Sequence, residues 1–221
     1  MFLKNRSGDI TCDGTTWELM SEDNGDKTWR AEIPGEPIYR WRSEVTVFGP
    51  RSGILSELFD YSKRAGPQGW DPNLANGRVH KEYPGGYKIL VYSSNPVFGG
   101  VVSGREFFEI RYIKETSDNS YLFSGCGIDE GQFKSILGSD FPEGDKSLTR
   151  AYALPGGGFY MWQLKPDLDP EVPQEWRYVL VLASKIGGWL PSATVNKASA
   201  AVLADAMKLQ KSHLNKCFRK G

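Results

Sequence analysis

Residues 187–217 read Gly187-Gly188-Trp189-Leu190-Pro191-Ser192 followed by ATVNKASAAVLADAMKLQKSHLNKC. Two glycines and a proline end whatever precedes them, and Ser192 can cap a helix. The apolar positions Val195, Ala198, Val202, Ala206 and Leu209, with His213, then recur every three or four residues, the spacing of one helix face. A helix is predicted over 192–217. Its inward stripe is light, with Ala198, Ala201 and Ala206. Small residues on a covering helix leave room beneath it.

Upstream, the period changes to two. Tyr39, Trp41, Val45 and Val47 alternate with Arg40, Arg42, Glu44 and Thr46, which is the pattern of a half-buried antiparallel strand. A hairpin before it turns at Asp23-Asn24-Gly25-Asp26. Further strands are predicted near 78–83, 87–93, 105–116, 119–127, 147–154, 157–165 and 176–183. One helix near 52–65, capped by Ser52, carries Ile54, Leu55, Leu58 and Phe59. Segment 129–146 is acidic and reads as a long loop with one helical turn. Residues 1–15 read as a flexible lead-in to a domain spanning 16–217. The layout is α+β: a curved sheet of about nine mostly antiparallel strands wrapped on a long C-terminal helix. Its concave face, under so light a helix, favours an internal cavity.

The composition narrows the function. The 221 residues carry 27 Lys+Arg against 27 Asp+Glu, with 39% hydrophobic and 13% aromatic residues. The aromatic content excludes wholesale disorder, and a zero net charge gives no general attraction for nucleic acid. Cys12, Cys126 and Cys217 are odd in number and far apart, so no disulfide framework is indicated. No stretch approaches a membrane span, and the opening residues lack a signal peptide's apolar run. A cytoplasmic protein, peripheral to membranes, is the expectation. Enzyme signals are poor. His80 and His213 are read as lacking a Cys or carboxylate at metal spacing, Cys126 lies on a strand, and Gly156-Gly157-Gly158 is not followed by the Lys of a phosphate loop. No catalytic group, metal or cofactor is expected.

Several motifs, in order, resemble the StAR-related lipid-transfer (START) domain family. They are Trp70-Asp71 after the first helix, Ile38-Tyr39-Arg40 and Val45-Thr46-Val47-Phe48-Gly49 in the early strands, Ser103-Gly104-Arg105-Glu106-Phe107-Phe108, Thr149-Arg150-Ala151, and Gly187-Gly188-Trp189-Leu190-Pro191 before the last helix. The resemblance covers roughly residues 16–217. It implies a helix-grip fold that holds one lipid in a tunnel between the sheet and the last helix. It also implies transport between membranes or sensing of the lipid, by a monomer with no cofactor. Phosphatidylcholine-binding members carry an Arg four residues before the aspartate of Trp-Asp, where this chain has Pro67. Sterol-type members carry a buried Arg that corresponds to Arg111; its acidic partner is not evident on the preceding strand, Leu90-Val91-Tyr92-Ser93-Ser94.

The candidate ligand-binding residues follow from this. Arg111 shares a strand face with Arg105, Phe107 and Glu109. It either anchors a lipid head in the cavity, unpaired until a lipid phosphate or other anionic head arrives, or faces outward, paired with Glu109 or a neighbouring strand; phospholipid and sterol both remain open as the lipid. Asp71 is a head-group or gate residue, or it shapes the turn before Pro72. Arg105 and Glu106 are expected in structural salt bridges. Tyr92, Tyr121, Phe123, Tyr160 and Trp162 either line the cavity, where they can cage a quaternary ammonium, or pack the core. Val195, Val202, Ala206 and Leu209 are the lid residues of the last helix. Lys208, Lys211 and Lys216 can contact anionic lipid heads or simply complement the helix dipole. Two other readings stay open: a helix-grip enzyme, a cyclase or hydrolase acting on a hydrophobic substrate, and an interaction module with a collapsed cavity.

Overall fold

The computed structural model describes residues 2–4, 10–12, 15–97, 99–115, 121–126, 130–154 and 156–219, the backbone alone in 2–4, 10–12, 121–126, 130, 132, 133 and 136. The strands, in chain order, are β1 (Phe2–Lys4), β2 (Ile10–Cys12), β3 (Glu18–Asp23), β4 (Asp26–Ala31), β5 (Arg40–Gly49), β6 (Leu74–Tyr83), β7 (Tyr87–Ser94), β8 (Arg105–Glu115), β9 (Tyr121–Cys126), β10 (Thr149–Ala153), β11 (Gly158–Gln163), β12 (Gln174–Leu182) and β13 (Ser184–Lys185). The helices are α1 (Arg51–Phe59), α2 (Tyr61–Arg64), α3 (Glu130–Leu137) and α4 (Ser192–Phe218).

Eleven strands form one sheet, and β1 pairs with β2 separately. One run of the sheet is β9-β11-β12-β5-β4-β3, antiparallel throughout. β8 is where the sheet branches. One edge pairs with β7, and β7 with β6. The other edge pairs first in parallel with β10, Arg105 opposite Thr149, and then antiparallel with β9 from Ile110 to Glu115. Gly104 stands at the start of this crowded junction; a Cβ there would lie 2.7 Å from the Ser94 carbonyl oxygen.

The sheet and α4 enclose an unevenly filled interior. At one end Trp41, Val45, Val47, Met161, Trp176 and Tyr178 pack against Leu203, Met207 and Leu214 of α4 and Ile54 and Leu58 of α1. Trp176 buries its indole completely and donates Nε1–H to the Gly49 carbonyl at 3.0 Å. The Phe218 ring closes this end. It lies so near Gly49 and Gly53 that a Cβ at either would come within 2.6 and 2.7 Å of ring atoms. At the other end α4 presents Ala198, Ser199, Val202 and Ala206, which are too small to reach the sheet.

Local chemistry explains where the structure departs from the pattern reading. The helix expected over 52–65 breaks at Asp60, whose carboxylate accepts from Ser62 N at 3.0 Å and caps a separate turn. Ser52 is not a cap. Its amide and hydroxyl donate to Glu171 at 3.2 and 2.6 Å, and Pro50 occupies the N-cap position. Pro191, not Ser192, precedes α4, without a side-chain cap. The acidic segment, expected to hold one helical turn, holds the eight-residue α3 and a 3₁₀ turn at Gly138–Asp140. Within residues 1–15, β1 and β2 pair antiparallel, Phe2 opposite Cys12.

Candidate functional site

A cavity of about 260 Å³ lies under the light half of α4. Ala198, Val202 and Ala206 form its roof, and Phe107, Phe159 and Leu180 belong to its sheet wall. The strand pleat sets what β8 offers. Arg105, Phe107, Glu109 and Arg111 all face the cavity, while Phe108 packs behind the sheet with Ile89, Val91 and Leu137.

Arg111 and Glu109 are 6% and 5% exposed. Two apart on one strand, they bond side by side, with Arg111 Nε donating to Glu109 Oε2 at 2.7 Å. The Tyr92 hydroxyl donates to Glu109 Oε1 at 2.5 Å. The guanidinium sits over the rings of Tyr61 and Tyr92, 5.1 and 5.2 Å from their centres. Burial opposes the cation, but Glu109 and the two tyrosines outweigh it and raise the Arg111 pKa, so Arg111 stays charged. Burial, reinforced by Glu109, pushes the Tyr92 phenol well up, so it stays a neutral donor. Arg111 thus faces inward and has its acid on its own strand, at Glu109 rather than on β7.

A second buried ion pair lines the same cavity. Arg64 at the end of α2 donates through Nε and Nη2 to Asp71 Oδ2, at 2.9 and 2.8 Å, and through Nη1 to the Leu58 carbonyl at 3.0 Å. Asp71 also accepts from Asn73 N at 3.0 Å, so it both shapes its turn and meets the cavity. Nothing in the sequence pattern singles out Arg64, which reaches Asp71 only because Asp60 restarts the helix. Gln210 of α4 is 1% exposed, lines the cavity, and its Oε1 has no hydrogen-bond partner among the described residues.

Arg105 behaves differently from the expected salt bridge. Its described bonds run from Nε to the Ile186 carbonyl at 2.7 Å and from Nη1 to the Ser103 carbonyl and hydroxyl at 2.7 and 2.5 Å. It ties the loop before β8 to the loop before α4. Glu106, on the opposite face, pairs with Arg150 at 3.1 Å.

The remaining candidates divide. Tyr92, Val202 and Ala206 line the cavity with Arg111 and Asp71; Val195 and Leu209 of α4 do not. Tyr160 and Trp162 lie outside the lining, packed with Val179, Val181 and Trp17. The alternation places Phe159 inside instead. The side chains of Tyr121 and Phe123 lie outside the described residues. Lys208 and Lys216 are exposed, but Lys211 is held by Asp26 at 2.7 Å. No helix among the described residues is long and apolar enough to cross a membrane.

A curved sheet gripping a long terminal helix over a mostly apolar cavity defines a helix-grip binding domain. The chain belongs to the START domain family, whose sequence model matches residues 6–218. It is similar to the mitochondrial steroidogenic acute regulatory proteins of Danio rerio, 23% identical over 201 residues, and of Salvelinus fontinalis, 23% identical over 193. The matches cover 90% and 87% of this chain but 64% and 60% of those proteins, so the chain spans less than two thirds of their length. Human StAR-related lipid transfer protein 5 superposes with a TM-score of 0.69 at 16% identity, covering 94% of this chain and 88% of that one. Human STARD10 gives 0.71 at 16%, covering 90% and 73%. These likenesses show the fold.

Proposed function

We propose that this chain binds a single lipid in the cavity beneath α4 and carries it between membranes, and that the lipid is neutral and hydroxyl-bearing, such as a sterol. The observation behind this reading is that the buried cations Arg111 and Arg64 already hold Glu109 and Asp71. A phosphate brought to Arg111 would meet Glu109 as a second buried anion, which is costly at low dielectric. A hydroxyl adds no charge and can donate to the Gln210 Oε1, relieving a buried acceptor. The apolar remainder of the lining takes the hydrocarbon, at roughly 0.8 kcal/mol for each CH₂ removed from water.

Native mass spectrometry on protein purified from cells, followed by transfer assays between vesicles, tests this directly. Copurified neutral lipid and faster sterol transfer are expected. A bound anionic phospholipid would contradict the head-group assignment. A covalently altered product would favour the enzyme reading, and no bound lipid with no transfer would end the carrier reading.

The membrane contact is assigned to the loop end of the cavity. Trp189 is 88% exposed and Val101 64%, on the two loops that Arg105 joins. Exposed aromatic and aliphatic side chains beside a lipid cavity suit a bilayer interface. Lys216 stands 24 residues along α4 from Ser192, about 36 Å away at 1.5 Å per residue. Replacing Trp189 and Val101 by Ser is expected to lower vesicle binding about tenfold, read by co-sedimentation. Replacing Lys208 and Lys216 by Ala is expected to change it less, and a larger effect from the lysines would move the contact to the helix end.

A further inference from the structure

We propose that Glu57, His213 and Cys217 form a zinc-binding site joining α1 to the last turns of α4. His213 and Cys217 stand four residues apart, on one face of α4. This is a metal-ligand spacing on a helix, and it corrects the expectation that His213 lacks a Cys at such a spacing. Glu57 comes across from α1. Glu57 Oε2 lies 2.7 Å from His213 Nε2, and Cys217 Sγ lies 3.5 Å from the same nitrogen. All three donor atoms lie within 4.8 Å of one another.

The convergence on one nitrogen decides between two chemistries. A thiol–imidazole–carboxylate relay places its acid and its thiol on opposite nitrogens of the ring, because one accepts a proton while the other donates. Here both partners meet at Nε2, which is the arrangement of ligands around a common ion. Zinc bonds of about 2.3 Å to sulfur and about 2.0–2.2 Å to nitrogen and oxygen put tetrahedral donors roughly 3.2–3.8 Å apart. The present separations reach that range with side-chain shifts on the order of 1 Å. A thiolate, an imidazole and one carboxylate are the donors of a zinc site, with the fourth position left for water.

The surroundings hold the set in place. The Trp70 indole stacks on the His213 ring with centres 4.2 Å apart and planes at 11°, and its Nε1 donates to the Glu57 carbonyl at 3.3 Å. One aromatic thus orients two of the three ligands. Lys63 donates to Glu57 Oε1 at 3.0 Å, which leaves Oε2 for the ion and fixes the carboxylate as an outer partner does. The His213 and Glu57 side chains are 17% and 18% exposed, so an ion has a path from solvent. None of the three residues lines the lipid cavity, so the site can be tested apart from the lipid reading.

The test uses the full chain, stripped of metal with a chelator, kept reduced, and titrated with Zn²⁺ or Co²⁺. About one equivalent is expected to bind. Co²⁺ should give a thiolate charge-transfer absorption that disappears in Cys217→Ser. His213→Gln and Cys217→Ser should each weaken Zn²⁺ binding by about tenfold or more. Zn²⁺ should raise the melting temperature of the wild type and not of Cys217→Ser. Glu57→Gln serves as a further variant should His213→Gln fold poorly, with the same weakening expected. Undiminished binding in Cys217→Ser and Glu57→Gln, or wild-type binding no stronger than theirs, overturns the proposal.

Discussion

Arg111→Leu should destabilise the chain by about 3–5 kcal/mol, because it leaves a carboxylate buried without its cation. Glu109 would keep the Tyr92 hydroxyl, but one neutral donor does not replace a guanidinium held at 2.7 Å. The partner change Glu109→Leu should cost a similar amount, by stranding Arg111 over Tyr61 and Tyr92. The double variant should recover most of the loss, since an apolar pair of similar volume is often neutral or better. Urea unfolding of the three variants forms a double-mutant cycle. A single-variant cost below about 1 kcal/mol would mean that the pair is hydrated like a surface bridge. In lipid binding, the two effects part company. The double variant should fold and still take up hydrocarbon, yet lose discrimination between sterol and a phospholipid.

Ala206→Phe should abolish lipid uptake while leaving the fold intact. Ala206 lies on the cavity roof, where α4 leaves space above the sheet. A phenyl group would occupy the volume that the ligand needs, and the expected loss of affinity exceeds about a hundredfold, or ~2.7 kcal/mol. Filling an apolar void does not carry the usual cost of overpacking, so the melting temperature should stay close to that of the wild type. Loss of the copurified lipid mass, read alongside the melting curve, checks both halves. Uptake that survives the substitution would place the ligand elsewhere.

Much of this architecture is legible in the sequence because its periods are clear. The alternation from Tyr39 to Val47 and the three-to-four spacing from Val195 to Leu209 each admit one reading, and β5 and α4 follow. The strand pleat also puts Arg105, Phe107, Glu109 and Arg111 on one face; the choice of Arg111 among them comes from the family resemblance. The rest depended on tertiary context. The resemblance implies an acid for Arg111 on the preceding strand, and pairing with Glu109 is read only for an outward-facing Arg111, whereas two residues apart on one inward face suffices for a direct contact. Arg64 carries no local signal, because it meets Asp71 through a helix break at Asp60 whose cap competes with helix continuation. For Tyr160 and Trp162 the sequence leaves cavity and core packing both open, because β11 starts at Gly158, whose missing side chain leaves the phase of a short strand undetermined; they pack with Val179 and Val181. His213 and Cys217 lay in plain view at helical spacing, but Glu57, from 156 residues earlier, cannot be joined to them without the fold.

The uneven packing of α4 also has a mechanical consequence. Its Phe218 end is wedged against two glycines and a filled core, whereas its first turns, beyond the void under Ala198 to Ala206, are held by Asn196, which accepts from Tyr39 N at 2.8 Å and donates to the Pro37 carbonyl at 3.2 Å. Twenty-seven residues make a rod about 40 Å long. A rod clamped at one end and pinned at the other by one side chain's two hydrogen bonds is a latched lever. A tilt of only about 10° at the clamp would swing the far tip by roughly 7 Å. Uncovering the cavity in this way requires the Asn196 bonds to break and Leu203 to leave its packing, while the core about Leu214 and Phe218 stays in place.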